Sequence, residues 1–284
     1  MAVPTNLTGI FDRSLGTIHV SRQAWMNGTS RQKRGPIAVT KADLPRNLDL
    51  EYADLEDRNY AYDFDYRMHH YFLRRFEPYF LGSNVLELGC YKGEFTRLLA
   101  DRFTRVTTVE GASSLIEIAR KIDRDNVEFI HSRFENFQPS AGFDSIFLIH
   151  TLEHLDNPVE VLALIRTWLA PGGRLYLAVP NAFAASRQIA VAMGLIDEPT
   201  AVTEGEALHG HRRTYDRSTL LDHVAQAGLR TVTEGGVFFK PFANFQFDQL
   251  LRSGAVSEAY LEGCYTLSLS QPEFSASLFA ICEV

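Results

Sequence analysis

Short apolar runs alternate with amphipathic segments along the middle of the chain. The runs that predict strands are NVLELG (84–89), RVTTVEG (105–111), NVEFIHSRF (126–134), FDSIFLIH (143–150) and RLYLAVP (174–180). Segments with helical periodicity follow the first, second and fourth of these runs, at 94–103, 113–122 and 157–169. Strands that alternate with helices of this length are typical of βαβ units. The pattern therefore predicts an α/β fold built on a parallel sheet.

A helix rich in aromatic residues is predicted ahead of the first strand. Within residues 58–80, aromatic side chains recur at helical spacing, at Tyr71, Phe72, Phe76 and Tyr79. Pro78 should end this helix, because proline is excluded from a helix interior. Most of these rings should pack in the core, although a helix at this place could also cover a ligand.

A polar stretch interrupts the alternation after the strand at 174–180. It begins with a helical segment, NAFAASRQIAVAMG, and then becomes turn-rich. We interpret residues 181–217 as a lid-like insertion over the C-terminal edge of the sheet. The alternation resumes with a helix at 218–227, capped by Ser218 and stopped by Gly228. The last predicted elements are a strand at 229–239, a helical segment at 241–263 and a final strand at 275–284.

The composition is that of an ordinary globular protein, and it narrows the range of partners. The 284 residues carry a net charge of −7, with 45% hydrophobic and 22% charged residues. The acidic balance argues against a nucleic-acid partner, which favours a basic surface. Three widely spaced cysteines argue against a disulfide framework. No apolar run reaches the ~18 residues of a membrane helix, and the N-terminus lacks a signal-peptide pattern, which predicts a cytoplasmic protein.

The first fifty residues differ from the rest of the chain. Residues 1–50 show little periodicity and contain a basic patch, SRQKRG, at 30–35. We interpret them as an N-terminal arm that precedes a folded domain over 51–284, and the composition favours a partly ordered arm. The alternative is an arm that wraps the core or the second subunit of a homodimer.

The loop after the first predicted strand carries glycines suited to a ligand. In VLELGCYKGEF, Gly89 and Gly93 permit a tight turn and a close backbone approach beside a helix N-terminus. A dinucleotide fingerprint would also require glycine where Tyr91 and Glu94 stand, so an NAD-linked oxidoreductase is disfavoured. Glu110 ends the second strand, 21 residues after Gly89, where an acid can bind both hydroxyls of a ribose.

Together these segments resemble a class I S-adenosylmethionine-dependent methyltransferase of the small-molecule type. VLELGCYKGEF resembles motif I, TVEG the ribose-binding strand end, FDSIFLIHTLEHLDNP motif IV, and WLAPGGRLYLAVPN the segment at strand five. The resemblance runs from about residue 60 to residue 284. It implies a Rossmann-like, seven-stranded, mostly parallel sheet with an antiparallel last strand and helices on both faces. It also implies S-adenosyl-L-methionine as the cofactor.

The resemblance assigns roles residue by residue. Those that would bind the cofactor are Tyr66, Arg67, Glu87, Gly89, Cys90, Gly93, Glu110, Gly111, Arg133, Phe134 and His150. By this comparison Tyr66 or Arg67 reaches the cofactor carboxylate and Glu110 holds the ribose. Arg133 and Phe134 flank adenine, although simple packing is an alternative for the phenylalanine. His150 lies beneath the sulfonium.

The motif HTLEH at 150–154 admits several interpretations. It matches the H-x-x-E-H pattern of zinc proteases, but that site needs a helix, and here the first histidine closes an apolar strand. Ubiquinone-biosynthesis O-methyltransferases have E-x-x-E-H at this place and are thought to bind a divalent cation. Because His150 replaces the first glutamate, we predict no metal. His154 is the candidate catalytic base, and the alternative is a loop-capping histidine.

A basic cluster in the predicted insertion is the candidate site for the methyl acceptor. The candidates within LHGHRRTYD (208–216) are His209, His211, Arg212, Arg213 and Tyr215. Adjacent arginines suit a carboxylate or phosphate group. The alternative is a solvated turn whose arginines pair with acids of the protein.

These observations favour methyl transfer to an O or N nucleophile of a small polar metabolite, an acidic one being preferred. An RNA or protein methyltransferase is one alternative, although no N-P-P-Y or D-P-P-Y follows the fourth strand. A non-catalytic, cofactor-binding regulatory module is another. Intact cofactor loops beside a polar insertion favour the enzyme.

Overall fold

The computed structural model describes residues 46–52 and 59–284. Most of the predicted N-terminal arm, including the basic patch at 30–35, lies outside the described residues, so the boundary near residue 50 stays a prediction. In the described ranges, no helix is both long and apolar enough to cross a bilayer.

One sheet organises the described part of the chain. Its strands are β1 (Asn84–Leu88), β2 (Arg105–Glu110), β3 (Val127–His131), β4 (Phe143–Ile149), β5 (Leu169–Pro180), β6 (Arg230–Phe239) and β7 (Ser275–Glu283). They lie in the order β3-β2-β1-β4-β5-β7-β6. β7 is antiparallel to both of its neighbours, and all the other pairs are parallel. The seven-stranded, mostly parallel sheet implied by the resemblance is confirmed.

Helices cover both faces of the sheet. They are α1 (Leu48–Glu51), α2 (Asp63–Phe76), α3 (Glu94–Ala100), α4 (Ser113–Ala119), α5 (Pro158–Trp168), α6 (Ala185–Ala192), α7 (Glu204–Leu208), α8 (Arg217–Gln226), α9 (Asn244–Arg252) and α10 (Glu258–Ser270). Apolar residues of α5 and α8 pack on one face, and those of α2, α3 and α10 pack on the other. Because both faces are covered, the central strands read as nearly continuous apolar runs.

The sequence predicts most elements correctly but misplaces some boundaries. The N-cap of α8 is Asp216, whose carboxylate accepts a hydrogen bond from the Thr219 amide at 2.7 Å, and not Ser218. The helical segment predicted at 241–263 is two helices, α9 and α10, separated where Gly254 adopts a φ of +72°. β5 begins at Leu169, so the PGG turn predicted at 171–173 lies inside the strand.

The segment predicted as an insertion, residues 181–217, holds the short helices α6 and α7. A parallel bridge between Asn181 and Tyr215 joins its two ends. The Arg212 amide donates to the Glu153 carbonyl at 2.9 Å, which ties the segment to the loop after β4. It therefore lies beside the C-terminal ends of the strands, and its action as a lid stays a prediction.

Candidate active site

The candidate site lies where the C-terminal ends of β1, β2 and β4 meet. β1 lies between β2 and β4, and the chain leaves it in one direction for β2 and later returns on the other side for β4. In open α/β sheets, ligands bind at such a reversal of strand order. A cavity of about 320 Å³ opens at this edge.

The glycine loop after β1 is held in left-handed backbone conformations. Gly89 has a φ of +80° and Gly93 a φ of +88°. A Cβ atom on Gly89 would lie 2.7 Å from the Thr151 hydroxyl, and one on Gly93 would lie 2.3 Å from an Ile122 methyl. Both positions therefore require glycine for backbone conformation and for space. Tyr91, between them, also has a positive φ, of 51°.

Two buried glutamates flank this loop. Glu110 accepts hydrogen bonds from the amides of Tyr91 (3.1 Å) and Ala112 (2.9 Å), so it fixes both the glycine loop and the turn after β2. Glu87 accepts hydrogen bonds from the hydroxyls of Thr96 (2.5 Å) and Thr108 (3.2 Å). Burial raises the pKa of both carboxyls, and it raises that of Glu87 to about 7 despite the two threonines.

His150 follows β4 with a φ of 48°, which turns the chain into the loop that follows. Its Nε2 lies 2.8 Å from the Ser277 hydroxyl, and its ring packs edge-on against Phe72. Burial lowers the pKa of His150 to about 3, so the imidazole is neutral at physiological pH.

A cluster of Glu153, His154 and His211 forms the other side of the cavity. His154 Nε2 is 4.0 Å from a Glu153 carboxylate oxygen, and the rings of His154 and His211 are 4.6 Å apart. Burial raises the pKa of Glu153 to about 8 and lowers the pKa of His154 well below 6.5. Near neutral pH, His154 is therefore a neutral imidazole with a free lone pair.

The same three side chains fit a divalent cation. One ligand atom from each lies within 4.8 Å of the others. Among the described residues, neither Glu153 carboxylate oxygen has a hydrogen-bond partner, and His154 Nδ1 has none either. Buried polar atoms are normally satisfied, so these orphaned atoms are consistent with a bound cation. The set is one carboxylate and two imidazoles, ligands that suit zinc and other transition metals better than magnesium.

The structure brings many of the predicted site residues to the cavity. Those that line it are Tyr66, Glu87, Gly89, Cys90, Glu110, His150, His154, His209 and His211. Phe134 is buried in the core cluster, in line with its packing alternative. Gly111 and Arg133 lie against the segment that contains α1 rather than on the cavity wall.

Three predicted site residues contact other parts of the protein and do not line the cavity. Arg67 points to the surface, where it pairs with Glu258 at 2.5 Å. Arg213 donates to the carbonyls of Leu155 and Asp156, which holds it behind the loop after β4. These positions do not bring either arginine to the cavity. The third, Tyr215, is fully buried, with its hydroxyl 3.2 Å from His223 Nδ1.

Arg212 also lies outside the cavity lining. Its guanidinium pairs with Glu51 at 3.1 Å and with Asp156 at 3.0 Å. The alternative interpretation of the basic cluster, arginines paired with acids of the protein, therefore describes Arg212 better than a substrate contact does.

Sequence reasoning missed Lys240 and two tyrosines of the cavity lining, Tyr52 and Tyr60. Lys240 lies on the cavity wall, where Nζ donates to the Asn244 side chain at 2.6 Å, and burial lowers its pKa. Its position in the sequence could have indicated it, because Lys240 directly follows β6. Since β7 is antiparallel to both β5 and β6, β6 runs in the same direction as β5 and ends at the same edge of the sheet. Tyr52 and Tyr60 also line the cavity, with their rings 6.0 and 6.4 Å from that of His154.

Comparison with known proteins agrees with this arrangement. The family described as "Methyltransferase domain" matches residues 60–234. The ubiquinone biosynthesis O-methyltransferase of Xanthomonas axonopodis pv. citri (strain 306) is 25% identical over 179 residues, which cover 61% of this chain and 73% of that protein. Its counterpart from Idiomarina loihiensis is 24% identical over 197 residues, covering 68% of this chain and 76% of that protein.

Solved structures share the fold. An S-adenosylmethionine-dependent methyltransferase from Mesorhizobium loti superposes with a TM-score of 0.53 at 14% identity, covering 75% of this chain and 95% of that one. The DhpI–SAM–HEP complex gives a TM-score of 0.50 at 18% identity, covering 78% and 88%. The family match spans more than half of the chain and therefore shows the family to which it belongs. The chain belongs to the methyltransferase-domain family, a family of S-adenosylmethionine-dependent methyltransferases, and it has the class I fold.

Proposed function

We propose that this enzyme methylates a hydroxyl oxygen of a small molecule, and that a phenolic hydroxyl is its preferred acceptor. One observation carries the proposal: the neutral, buried imidazole of His154 lies on the wall of the cavity that also contains the glycine loop. The relatives named as O-methyltransferases support oxygen as the acceptor atom.

The cofactor is proposed to bind along the loops after β1 and β2. Glu110 would accept hydrogen bonds from the ribose hydroxyls, since each carboxylate oxygen has lone pairs beyond the one used by Tyr91 or Ala112. Gly89 would allow the close backbone approach of the methionine part. His150, neutral and held by Ser277, would lie beneath the sulfonium without repelling its positive charge.

The proposed role of His154 is to accept the proton of the acceptor hydroxyl. Methyl transfer from a sulfonium depends mainly on alignment of the nucleophile, and removal of its proton makes the oxygen a better nucleophile. A histidine of lowered pKa is available at neutral pH but is a weak base. It therefore suits a phenol, with a pKa of about 10, like that of tyrosine, better than an aliphatic alcohol.

The walls of the cavity also favour an aromatic acceptor. Tyrosine rings and histidines are among the residues that line it: Tyr52, Tyr60, Tyr66, Tyr91, His209 and His211. Arg212 and Arg213 are engaged by carboxylates and carbonyls of the protein, which weakens the case for an acidic acceptor bound by these two arginines. Lys240 is a basic residue on the cavity wall, and the buried carboxyl of Asp65 lies close enough to raise its pKa against the effect of burial.

A divalent cation could assist at the same cluster. Glu153, His154 and His211 would hold it. A bound cation would lower the pKa of an acceptor hydroxyl, as zinc does for water. Treatment with a chelator distinguishes activation by the cation from activation by the His154 imidazole. Turnover persists after treatment if the imidazole acts alone, and it is lost if the cation is required.

The test of the acceptor is a turnover screen with labelled S-adenosylmethionine. Phenols, aliphatic alcohols, amines and carboxylates of similar size would be compared at one concentration, and product mass would confirm one added methyl group. We expect turnover with phenols and little with matched amines. Faster turnover of amines than of phenols would contradict the proposal.

The test of the base is the variant His154→Gln, which keeps a polar side chain but cannot accept the proton. We expect kcat to fall by about 10²-fold or more, with the Kd for S-adenosylhomocysteine changed little. His70→Gln is the matched control, because His70 is exposed on α2 and does not line the cavity. An unchanged kcat in His154→Gln would remove His154 from the mechanism.

A further inference from the structure

We infer that residues Arg46–Tyr52, here called the strap, close over the adenosyl half of the bound cofactor and are held in place by the ion pair between Glu51 and Arg212. The strap precedes the family match, which begins at residue 60. The inference depends on the cofactor and not on the acceptor proposed above.

One side of the strap is fixed to the start of α4. Asp49 accepts hydrogen bonds from the Ser113 hydroxyl at 2.9 Å and from the Ser114 amide and hydroxyl at 2.8 and 2.6 Å. α4 begins just after Glu110 and Gly111, the end of β2. The strap is therefore anchored beside the strand end that is proposed to hold the ribose.

The middle of the strap lies against Gly111 and Arg133, two positions that the resemblance assigns to the cofactor, the second of them beside adenine. A Cβ atom on Gly111 would come within 2.5 Å of the Leu48 side chain, so the absence of a side chain there makes room for the strap. Arg133, which follows β3, donates from its guanidinium to the Arg46 carbonyl at 3.0 Å. The apolar Leu48 side chain thus lies where it would cover one edge of a bound adenosine.

The other side of the strap meets the segment after α7. Glu51 accepts hydrogen bonds from Arg46 at 2.7 to 3.0 Å and pairs with Arg212 at 3.1 Å. A Cβ atom on Gly210 would come within 2.5 Å of the Glu51 carboxylate, so the strap and this segment are in close contact. The Glu51 side chain is 13% exposed and that of Arg212 is 27% exposed. Partial burial makes such a pair stronger than one on the open surface.

The strap is built so that it can open. None of the residues of α1 is buried, and Leu50 is 71% exposed. Hydrogen bonds and ion pairs hold Arg46–Glu51, and only at Tyr52 does the strap pack its ring against other rings, those of Tyr60 and Tyr91. Segments held mainly by polar contacts open at low free-energy cost. Cofactor exchange would therefore occur through opening of the strap, at a rate set by its polar contacts.

The first experiment measures release of tritiated S-adenosylhomocysteine from the full-length protein after a chase with unlabelled compound. Glu51→Ala, Arg212→Ala and the double variant would be compared with Arg124→Ala, which breaks a surface pair with Asp101. We expect each of the first two to speed release about fivefold, as for loss of an ion pair of about 1 kcal/mol. The double variant should speed release by less than the product of the two single effects, because the single variants share the loss of the Glu51–Arg212 pair, although each also loses a contact of its own, with Arg46 or with Asp156.

The second experiment uses Leu48→Ala and two ligands. S-adenosylhomocysteine and methylthioadenosine share the adenosyl half, and only the former has the amino-acid half. Release of both ligands should speed up by the same factor if Leu48 covers the adenosine. Unchanged release in Glu51→Ala, an equal effect of Arg124→Ala, or tighter binding in Leu48→Ala would each overturn the inference. None of these results depends on which acceptor is methylated.

Discussion

Gly89 shows how one residue can satisfy a backbone requirement and a packing requirement at once. Its φ of +80° strains any other residue, and a Cβ atom there would lie 2.7 Å from the Thr151 hydroxyl. We expect Gly89→Ala to lower the free energy of unfolding by about 2–3 kcal/mol, from left-handed strain of about 1–2 kcal/mol plus the displaced threonine. It should also weaken binding of S-adenosylhomocysteine, because the loop moves.

A second glycine, Gly254, distinguishes the requirement for a positive φ from the requirement for space. Gly254 has a φ of +72° but nothing within 4 Å of its Cβ position. Gly254→Ala should therefore show the backbone strain alone, about 1 kcal/mol, and leave ligand affinity unchanged. Urea denaturation and calorimetric titration of both variants provide the measurements. Equal losses of stability and unchanged affinity in both would contradict the role given to the Thr151 contact.

Glu87 should make the stability of the ligand-free protein depend on pH. Burial raises its pKa from 4.5 to about 7 in the folded state, so the unfolded chain releases this proton at a lower pH than the folded chain. Stability is therefore lost as the pH rises from about 4.5 through 7. A glutamine at this position has no charge to bury, so Glu87→Gln should not contribute such a loss.

The measurement is the difference in unfolding free energy between Glu87→Gln and the wild type, taken from urea denaturation at pH 5 and pH 8. The difference should shift in favour of the variant by about 2–3 kcal/mol over this range. Other titrating groups cancel because they are common to both proteins. The same difference at both pH values would mean that Glu87 is ionised in the folded state.

At the scale of the element, α8 tests how a helix start is recognised. The structural N-cap is Asp216, with its carboxylate 2.7 Å from the Thr219 amide. Asp216→Ala should cost about 1 kcal/mol of unfolding free energy. Ser218→Ala, at the position that the sequence suggests, lies within the first turn and should cost much less. Denaturation curves of the two variants decide between the positions, and a larger loss in Ser218→Ala would contradict the structural assignment.

The element pattern was predictable because it depends on local periodicity. The strands of the parallel part and the helices between them follow from apolar spacing, and Pro78 lies in the turn just after α2. The residues at which helices begin and end were harder to predict. Asp216 and Ser218 are both good caps, and only the path of the chain from Tyr215 decides between them. The break between α9 and α10 depends on Gly254, which a helix can tolerate when packing favours it.

The candidate site was predictable only where its residues follow strands. Glu87 and Glu110 lie near the ends of β1 and β2, and Gly89 and His154 lie in the loops after β1 and β4. Their convergence therefore follows from topology. The contacts of Arg212 and Arg213 could not be predicted, because their partners, Glu51, Asp156 and the Leu155 carbonyl, come from distant segments.

At the scale of the whole molecule, the sheet order explains why one cavity collects these groups. The strands β1, β2, β4 and β6 run in the same direction, so the loops that follow them open at one edge. Glu110 at the end of β2, His154 after β4 and Lys240 after β6 therefore share a cavity although they are far apart in sequence. Helices on both faces hold that edge fixed, which favours a ligand that binds to a largely preformed site.

This arrangement predicts which ligands stabilise the molecule. S-adenosylhomocysteine at one hundred times its Kd should add about 2.7 kcal/mol to the unfolding free energy, which for a chain of this size raises Tm by about 5 °C or more. NAD at the same concentration should leave Tm unchanged, because Tyr91 and Glu94 stand where a dinucleotide loop needs glycine. Differential scanning calorimetry with each ligand makes the comparison, and calorimetric titration should give one S-adenosylhomocysteine per chain. A larger shift with NAD, or two equivalent sites per chain, would contradict a single cofactor site at the reversal of strand order.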